Sequence, residues 1–233
     1  MKATTTKTRG LKAVAPGSAR RPNSRRRSGK REQNKEMTRK RILQAALDLF
    51  SKKGFFRTTA KQISDKAGIA EGTLFNYFKS KEDLALYFFE EQIEALIDWY
   101  ENDDALHTRP LSEKLFAIVY QHLERMGPYE DFIGAVYLRA FQPVSKLSPL
   151  RLEAQEQNLR YLRFIKEVID GSDAAEVIRK VGDLPAYAFG LFHFAMITHW
   201  LQDGSTGKER TLALLDRSLK IVDSILTRRD WKW

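Results

Sequence analysis

An all-α fold is predicted by three features of this 233-residue sequence. From Met37 onward, apolar residues recur every three to four positions, the spacing of one helix face. The interruptions fall on helix stops and caps: Gly54, Gly68, Pro110, Gly127-Pro128, Pro143, Gly171, Pro185 and Asp203-Gly204. No stretch alternates apolar and polar residues in the manner of a half-buried strand.

The first 34 residues are rich in Lys, Arg, Ser, Thr, Gly and Pro, with Arg25-Arg26-Arg27 the densest basic patch. A segment so poor in apolar side chains cannot offset its ordering entropy, so residues 1–34 are predicted to be a disordered basic arm. Ile42, Ala45, Ala46, Leu49 and Phe50 then define a helix over 37–53, stopped by Gly54. Thr59 with Gln62 three residues later is a capping-box signature for a second helix over 60–67. Gly68 ends it, and a short third helix follows over 71–78. Ser80 with Asp83 at the third position caps a fourth helix over 81–101. Further helices are predicted over 111–126, 130–141, 149–170, 173–181, 185–202 and 207–228.

Charge divides the chain. Residues 1–35 hold 12 basic residues against one acid, a net of +11, and residues 36–81 hold 10 against 4, a net of +6. The remainder, 82–233, carries −7. Such a basic end suits a polyanion, and the acidic remainder favours a single docking orientation on it. Cysteine is absent, which excludes disulfides and thiolate metal sites and fits a cytoplasmic protein. No 18-residue apolar run predicts a membrane span, and the basic N-terminus lacks the apolar centre of a secretory signal.

The second and third helices, joined by Gly68-Ile69-Ala70, have the geometry of a helix-turn-helix, whose second helix enters the DNA major groove. Ile69 and Leu74 would pack the pair together, and Leu74 and Phe78 read as core. Glu71, Gly72, Thr73, Phe75, Asn76 and Tyr77 would face outward wholly or in part. Exposed aromatic residues on so short a helix fit contact with thymine methyls and phosphates.

From Thr38 to Leu86 the sequence reads TRKRILQAALDLFSKKGFFRTTAKQISDKAGIAEGTLFNYFKSKEDLAL, and this stretch resembles the TetR/AcrR family of regulators. The resemblance implies a domain boundary near residue 82: a DNA-binding domain over 35–82 and a helical ligand-binding and dimerisation domain over 83–233. It also implies roles in DNA binding. Thr59, Tyr77 and Lys81 would hold phosphates, while Thr73 and Phe75 would approach bases, flanked by Gly72 and Asn76. Arg57 and Lys61 are secondary phosphate candidates. Many relatives carry Tyr where this chain has Phe75, which leaves base preference there open.

In the last helix, Leu212, Leu215, Leu219, Val222 and Leu226 follow steps of three and four, a heptad seam. The preceding helix is apolar on nearly every face, Phe189 and Met196 included, so it needs cover on every face. A two-fold dimer pairing the last two helices of each copy meets both demands, and the resemblance implies the same. Large side chains between 111 and 202 are candidates for an effector pocket: Phe116, Tyr120, Phe132, Tyr137, Phe141, Phe164, Tyr187, Phe192, His193 and Trp200, with His122 adding a polar atom. Each also reads as ordinary core. A small apolar or aromatic effector is the ligand class such a lining would suit.

No GxSxG, P-loop or HExxH pattern occurs, and His193 and His199 are spaced to opposite sides of a helix. Neither catalysis, a cofactor nor a metal is expected. The sequence thus predicts a homodimeric DNA-binding regulator, foremost a repressor released by its effector from a pseudo-palindromic site. Two alternatives stay open: an activator or ligand-independent structural DNA binder, and, more remotely, an enzyme or small-molecule carrier using the C-terminal domain.

Overall fold

The computed structural model describes residues 24–140, 152–172 and 181–226. Helices and turns account for them, with no strand among the described residues. The elements are α1 (Ser24–Lys53), α2 (Ala60–Ala67), α3 (Glu71–Tyr77), α4 (Lys81–Glu101), α5 (Asp104–His107), α6 (Leu111–Met126), α7 (Glu130–Ala140), α8 (Leu152–Asp170), α9 (Leu184–Gln202) and α10 (Glu209–Leu226). Single 3₁₀ turns precede α7 and α10. The helix expected over 173–181 lies almost wholly outside the described residues.

The N-terminal expectation needs correcting. Residues 24–34 are helical, because α1 starts at Ser24 and not near residue 37. Arg, Lys, Gln and Glu are good helix formers, so a helix nucleated further along extends through them at little cost. Residues 29–35 are exposed there. By contact, residues 1–38 form one unit and 39–233 another.

Within the second unit, the boundary expected near residue 82 is not a gap in the packing. One continuous core runs from Ile42 on α1 to Leu219 on α10. Phe132 of α7 stacks on Phe50 of α1 at 5.0 Å between ring centroids, and meets Phe88 of α4 edge-on at 5.2 Å. Phe55, from the loop after α1, lies 5.9 Å from the same ring. Aromatic pairs at such spacings add about 0.5–1.5 kcal/mol each beyond their buried area. Phe132 therefore fastens the N-terminal helices to the C-terminal bundle. Expected in an effector pocket, Phe132 is buried against other rings.

In the bundle, α4 packs on α6 and α8, α8 runs along α9, and α10 lies against α6. Gly190 sets the α8–α9 approach, since a Cβ there would stand 2.9 Å from Leu162 Cδ2. The turn between α9 and α10 is locked by Asp203, a buried carboxylate. One of its oxygens accepts from the Ser205 backbone and hydroxyl at 2.9 and 2.6 Å, the other from those of Thr211 at 2.8 and 2.7 Å. Four donors hold this carboxyl well below the usual carboxylate range. Lys208 ties the same turn to α7 through Glu130 at 2.6 Å.

Candidate nucleic-acid interface

The local sequence explains the geometry of α2 and α3. The Thr59 hydroxyl accepts from the Gln62 backbone N–H, and the Gln62 side chain accepts in return from the Thr59 N–H, both at 3.2 Å. This satisfies two donors that a helix start leaves orphaned. Gly68 ends α2 at φ 66°, where its N–H meets the Asp65 and Ser64 carbonyls. A side chain at that φ would be strained, so glycine is needed for the chain to turn into α3. Buried Ile63, Ala67, Leu74 and Phe78 hold the two helices onto the core.

What remains outside on α3 is the candidate reading surface. Glu71, Gly72, Phe75 and Asn76 are exposed, and Thr73 and Tyr77 are half-buried. Phe75 leaves 41% of its surface in solvent. A Cβ added to Gly72 would meet nothing within 4 Å, and its backbone is ordinary helix, so the protein's own packing does not call for glycine there. Thr59 is exposed at the start of α2, with Lys61 beside it. Exposed Arg57 is steadied by its Nε donating to the Lys53 carbonyl at 2.7 Å.

Lys81 also has a place within the protein itself. Its ammonium donates to the carbonyls of Phe55, Thr58 and Phe56 at 2.8, 3.0 and 3.4 Å. It also lies 4.8 Å from the Phe55 ring centroid. The loop between α1 and α2 leaves carbonyls without helical partners, and a buried carbonyl needs one. Lys81 thereby clasps the start of α4 to the loop that presents Thr59. Sequence reading could not see this, because donor and acceptors are 23 to 26 positions apart. It also missed Phe56, exposed to 55% in the same loop and outside any helical period.

Among the described residues, the predicted effector residues do not line one common cleft. Tyr120 and Tyr187 are exposed to 37% and 49%. Phe116 stacks on Tyr120, Tyr137 on Phe194, and Phe192 against Phe189. Trp200 is buried under the Lys208 ammonium. Phe141 lies outside the described residues. A cleft of about 730 Å³ does open between α4 and α8, but of the predicted set only Phe164 lines it. Leu86, Ile93 and Ile97 give it apolar walls, Glu90, Glu94, Arg160 and Arg163 a charged rim, and Tyr77 and Phe78 its end nearest α3. Arg160 pairs with Glu94 across it. His193 belongs instead to a buried polar file with His122 and Tyr161.

The predicted dimer residues divide between core and surface. Phe189, Met196, Leu215 and Leu219 are buried within the single chain, because α9 packs on α8 and α10 on α6. Leu212 is half-buried, Val222 is exposed to 39%, and the side chain of Leu226 lies outside the described residues. On α9 and α10 the large apolar side chains left uncovered, among the described residues, are Leu184, Tyr187 and Leu191, and Leu214, Ile221 and Val222.

Two family models match the sequence. Residues 42–88 fit the N-terminal domain of bacterial regulatory proteins of the tetR family, and residues 114–232 fit the tetracyclin repressor-like C-terminal domain. The chain belongs to the TetR family. Among curated relatives, it is 25% identical over 130 residues to the fatty acid metabolism regulator protein of Bacillus subtilis (strain 168), covering 56% of this chain and 59% of that one. It is 39% identical over 61 residues to the transcriptional repressor KstR2 of Mycolicibacterium smegmatis, covering 26% and 28%. The matches thus span at most about three-fifths of these relatives' length. A TetR regulator from Nitrosomonas europaea shares the fold at a TM-score of 0.61 and 14% identity, over 80% of this chain and 98% of that one. Bacillus subtilis FadR, solved with stearoyl-CoA, does so at 0.57 and 21%, over 78% and 96%.

Proposed function

We propose that this TetR-family chain is a cytoplasmic, homodimeric repressor that binds a pseudo-palindromic operator through α3 and is released by an apolar effector. The observation that carries the reading is the outer face of α3: an exposed Phe75 beside a Gly72 that the fold does not require. Thr73 and Phe75 read base edges, and Tyr77 and Thr59 hold phosphates with hydroxyl donors. Asn76 flanks the reading face. Arg57 and Lys61 add charge, and Lys81 acts through the loop it clasps. One short helix reads few base pairs, so two copies about 34–36 Å apart are needed for a site of useful length.

The exposed side chains Leu184, Tyr187, Leu191, Leu214, Ile221 and Val222 give the surface on which a second copy of the chain would pack. The effector enters the α4–α8 cleft, whose volume suits a drug-sized ligand. Because Tyr77 and Phe78 close one end of that cleft, a ligand there acts on α3 directly. It shifts DNA affinity only by binding one arrangement of the helices better than the other. Stearoyl-CoA is the first probe, given its presence in the FadR structure. The basic N-terminal segment adds phosphate contacts, so deleting residues 1–34 flattens the salt dependence without changing base preference.

The deciding experiment selects bound fragments from random duplex DNA with wild type and a Thr73→Ala/Tyr77→Ala variant at fixed salt. Enrichment of a pseudo-palindrome by wild type alone supports the reading. Equal binding of all sequences by both proteins overturns it. A promoter fusion carrying the selected site then separates repression from activation.

A further inference from the structure

Among the described residues of the C-terminal bundle, a line of polar groups links α8, α9 and α6. The Tyr161 hydroxyl on α8 bonds to His193 Nδ1 on α9, and His193 Nε2 bonds to His122 Nδ1 on α6 at 3.1 Å. His122 and His193 are 4% and 2% exposed. The line stops at His122 Nε2, a buried atom without a hydrogen-bond partner. Three residues along α6, Arg125 Nε is also buried and also without one. Residues three apart on a helix are surface neighbours, and the charge of Arg125 is felt at the His122 ring.

Chemistry assigns the missing partner. A guanidinium N–H can only donate. Burial keeps both imidazoles neutral, so each ring has one donor and one acceptor nitrogen. If Tyr161 donates into the line, His193 Nε2 donates to His122 Nδ1, and His122 Nε2 is left carrying a proton. Two donors, three residues apart on α6, are then each without an acceptor. Native interiors rarely leave such groups unpaired without a cause, an absent ligand or water being the common ones.

We propose that His122 and Arg125, backed by His193 and Tyr161, form a head-group site for a small molecule bearing a carboxylate on an apolar body. A carboxylate offers two acceptor oxygens for the two donors and a charge opposite to that of Arg125. An ammonium offers no acceptor and is repelled. Apolar rings flank the line: Phe189 lies 6.1 Å from the His193 ring, and Phe164, 6.4 Å from Tyr161, is also a wall of the α4–α8 cleft from which the apolar body would reach the head-group site. The line is built into the packing. Gly190, one turn before His193, admits Leu162, the neighbour of Tyr161, and so brings α8 within hydrogen-bonding reach of α9. This inference rests on the reading of the C-terminal domain as the effector-binding half.

The test titrates full-length protein by calorimetry with dodecanoate, dodecanol and dodecylamine, each below its micelle concentration. Wild type is compared with Arg125→Met and His122→Phe. Wild type should bind dodecanoate at least tenfold more tightly than dodecanol, and dodecylamine more weakly than either. Both variants should bring dodecanoate and dodecanol to within about twofold of each other. Equal affinities in wild type, a preference that survives both substitutions, or no binding of any probe would overturn the site and leave an internal water as its occupant. Operator binding is followed in the same samples. Head-group preference without any loss of DNA affinity sinks the effector reading and spares the site. An effector that releases DNA with equal potency from all three proteins does the reverse.

Discussion

The helix-turn-helix and the C-terminal bundle use aromatic residues in opposite ways. On α3 and the loop before α2, Phe75 and Phe56 stand out in solvent, although the helices beneath them are anchored by a full core. In the bundle, Phe132, Phe164 and Trp200 are all nearly fully buried; Phe132 and Phe164 pack on other rings, and Trp200 lies under the Lys208 ammonium. Side-chain type is the same in both places, so type does not reveal role. Exposure on an element whose own packing is already satisfied marks a contact for another molecule. A ring that completes a core marks stability.

The sharpest way to break this contrast is to cut a buried ring and an exposed surface in turn. Phe132→Ala should remove about 3–5 kcal/mol of stability, the range for a large core truncation. Denaturant unfolding checks it, and because Phe132 joins α7 to α1 and α4 the transition should stay single. Two separate transitions would show the helix-turn-helix folding independently of the bundle.

A pH titration of stability sharpens the buried side. Burial, and then the charge of Arg125, bring His122 down to about 4, and burial with His122 as neighbour holds His193 well below its ordinary value too. An unfolded histidine takes up its proton near 6.5, before the buried ring does, so stability is full above that pH and falls as pH drops toward 4. His122 alone should account for about 3 kcal/mol at the lower limit. A His122→Phe variant should lose much of that slope between pH 6.5 and 4, leaving the loss below pH 4 that belongs to Asp203.

Lys81→Met tests the clasp. Three carbonyls lose their donor, and about 1–3 kcal/mol of stability should go with it. DNA affinity should fall as the Thr59 loop loosens, yet the slope of affinity against salt should stay as in wild type. A slope reduced by about one would return Lys81 to a phosphate.

The smallest effect is the most telling for the exposed side. Gly72→Ala should stabilise α3 by up to about 1 kcal/mol, because its added methyl meets only open space. Operator affinity measured by anisotropy should fall all the same. Unchanged affinity would mean that DNA does not approach α3 at Gly72.

How far the sequence could be read follows the same division. The caps at Thr59 and Ser80, the stop at Gly68 and the burial of Leu74 are decided by residues at most a few positions apart, and each appears in the structure where expected. The extent of α1 was misread because low hydrophobicity suggested disorder, while propensity alone suffices to prolong an existing helix. In α10 the heptad spacing correctly marked Leu215 and Leu219 as buried, but spacing is silent on which helix buries them, and α6 of the same chain does so.

By itself, then, the sequence determined the helices, their caps and the outward face of α3, since a 3.6-residue period and local hydrogen bonds are short-range physics. Tertiary structure alone decided that Phe132 joins the two halves, that Lys81 clasps a loop more than twenty residues upstream, and that His122, His193 and Tyr161 form one line. Those pairings depend on which helix faces meet, and that is set by the summed fit of the whole core.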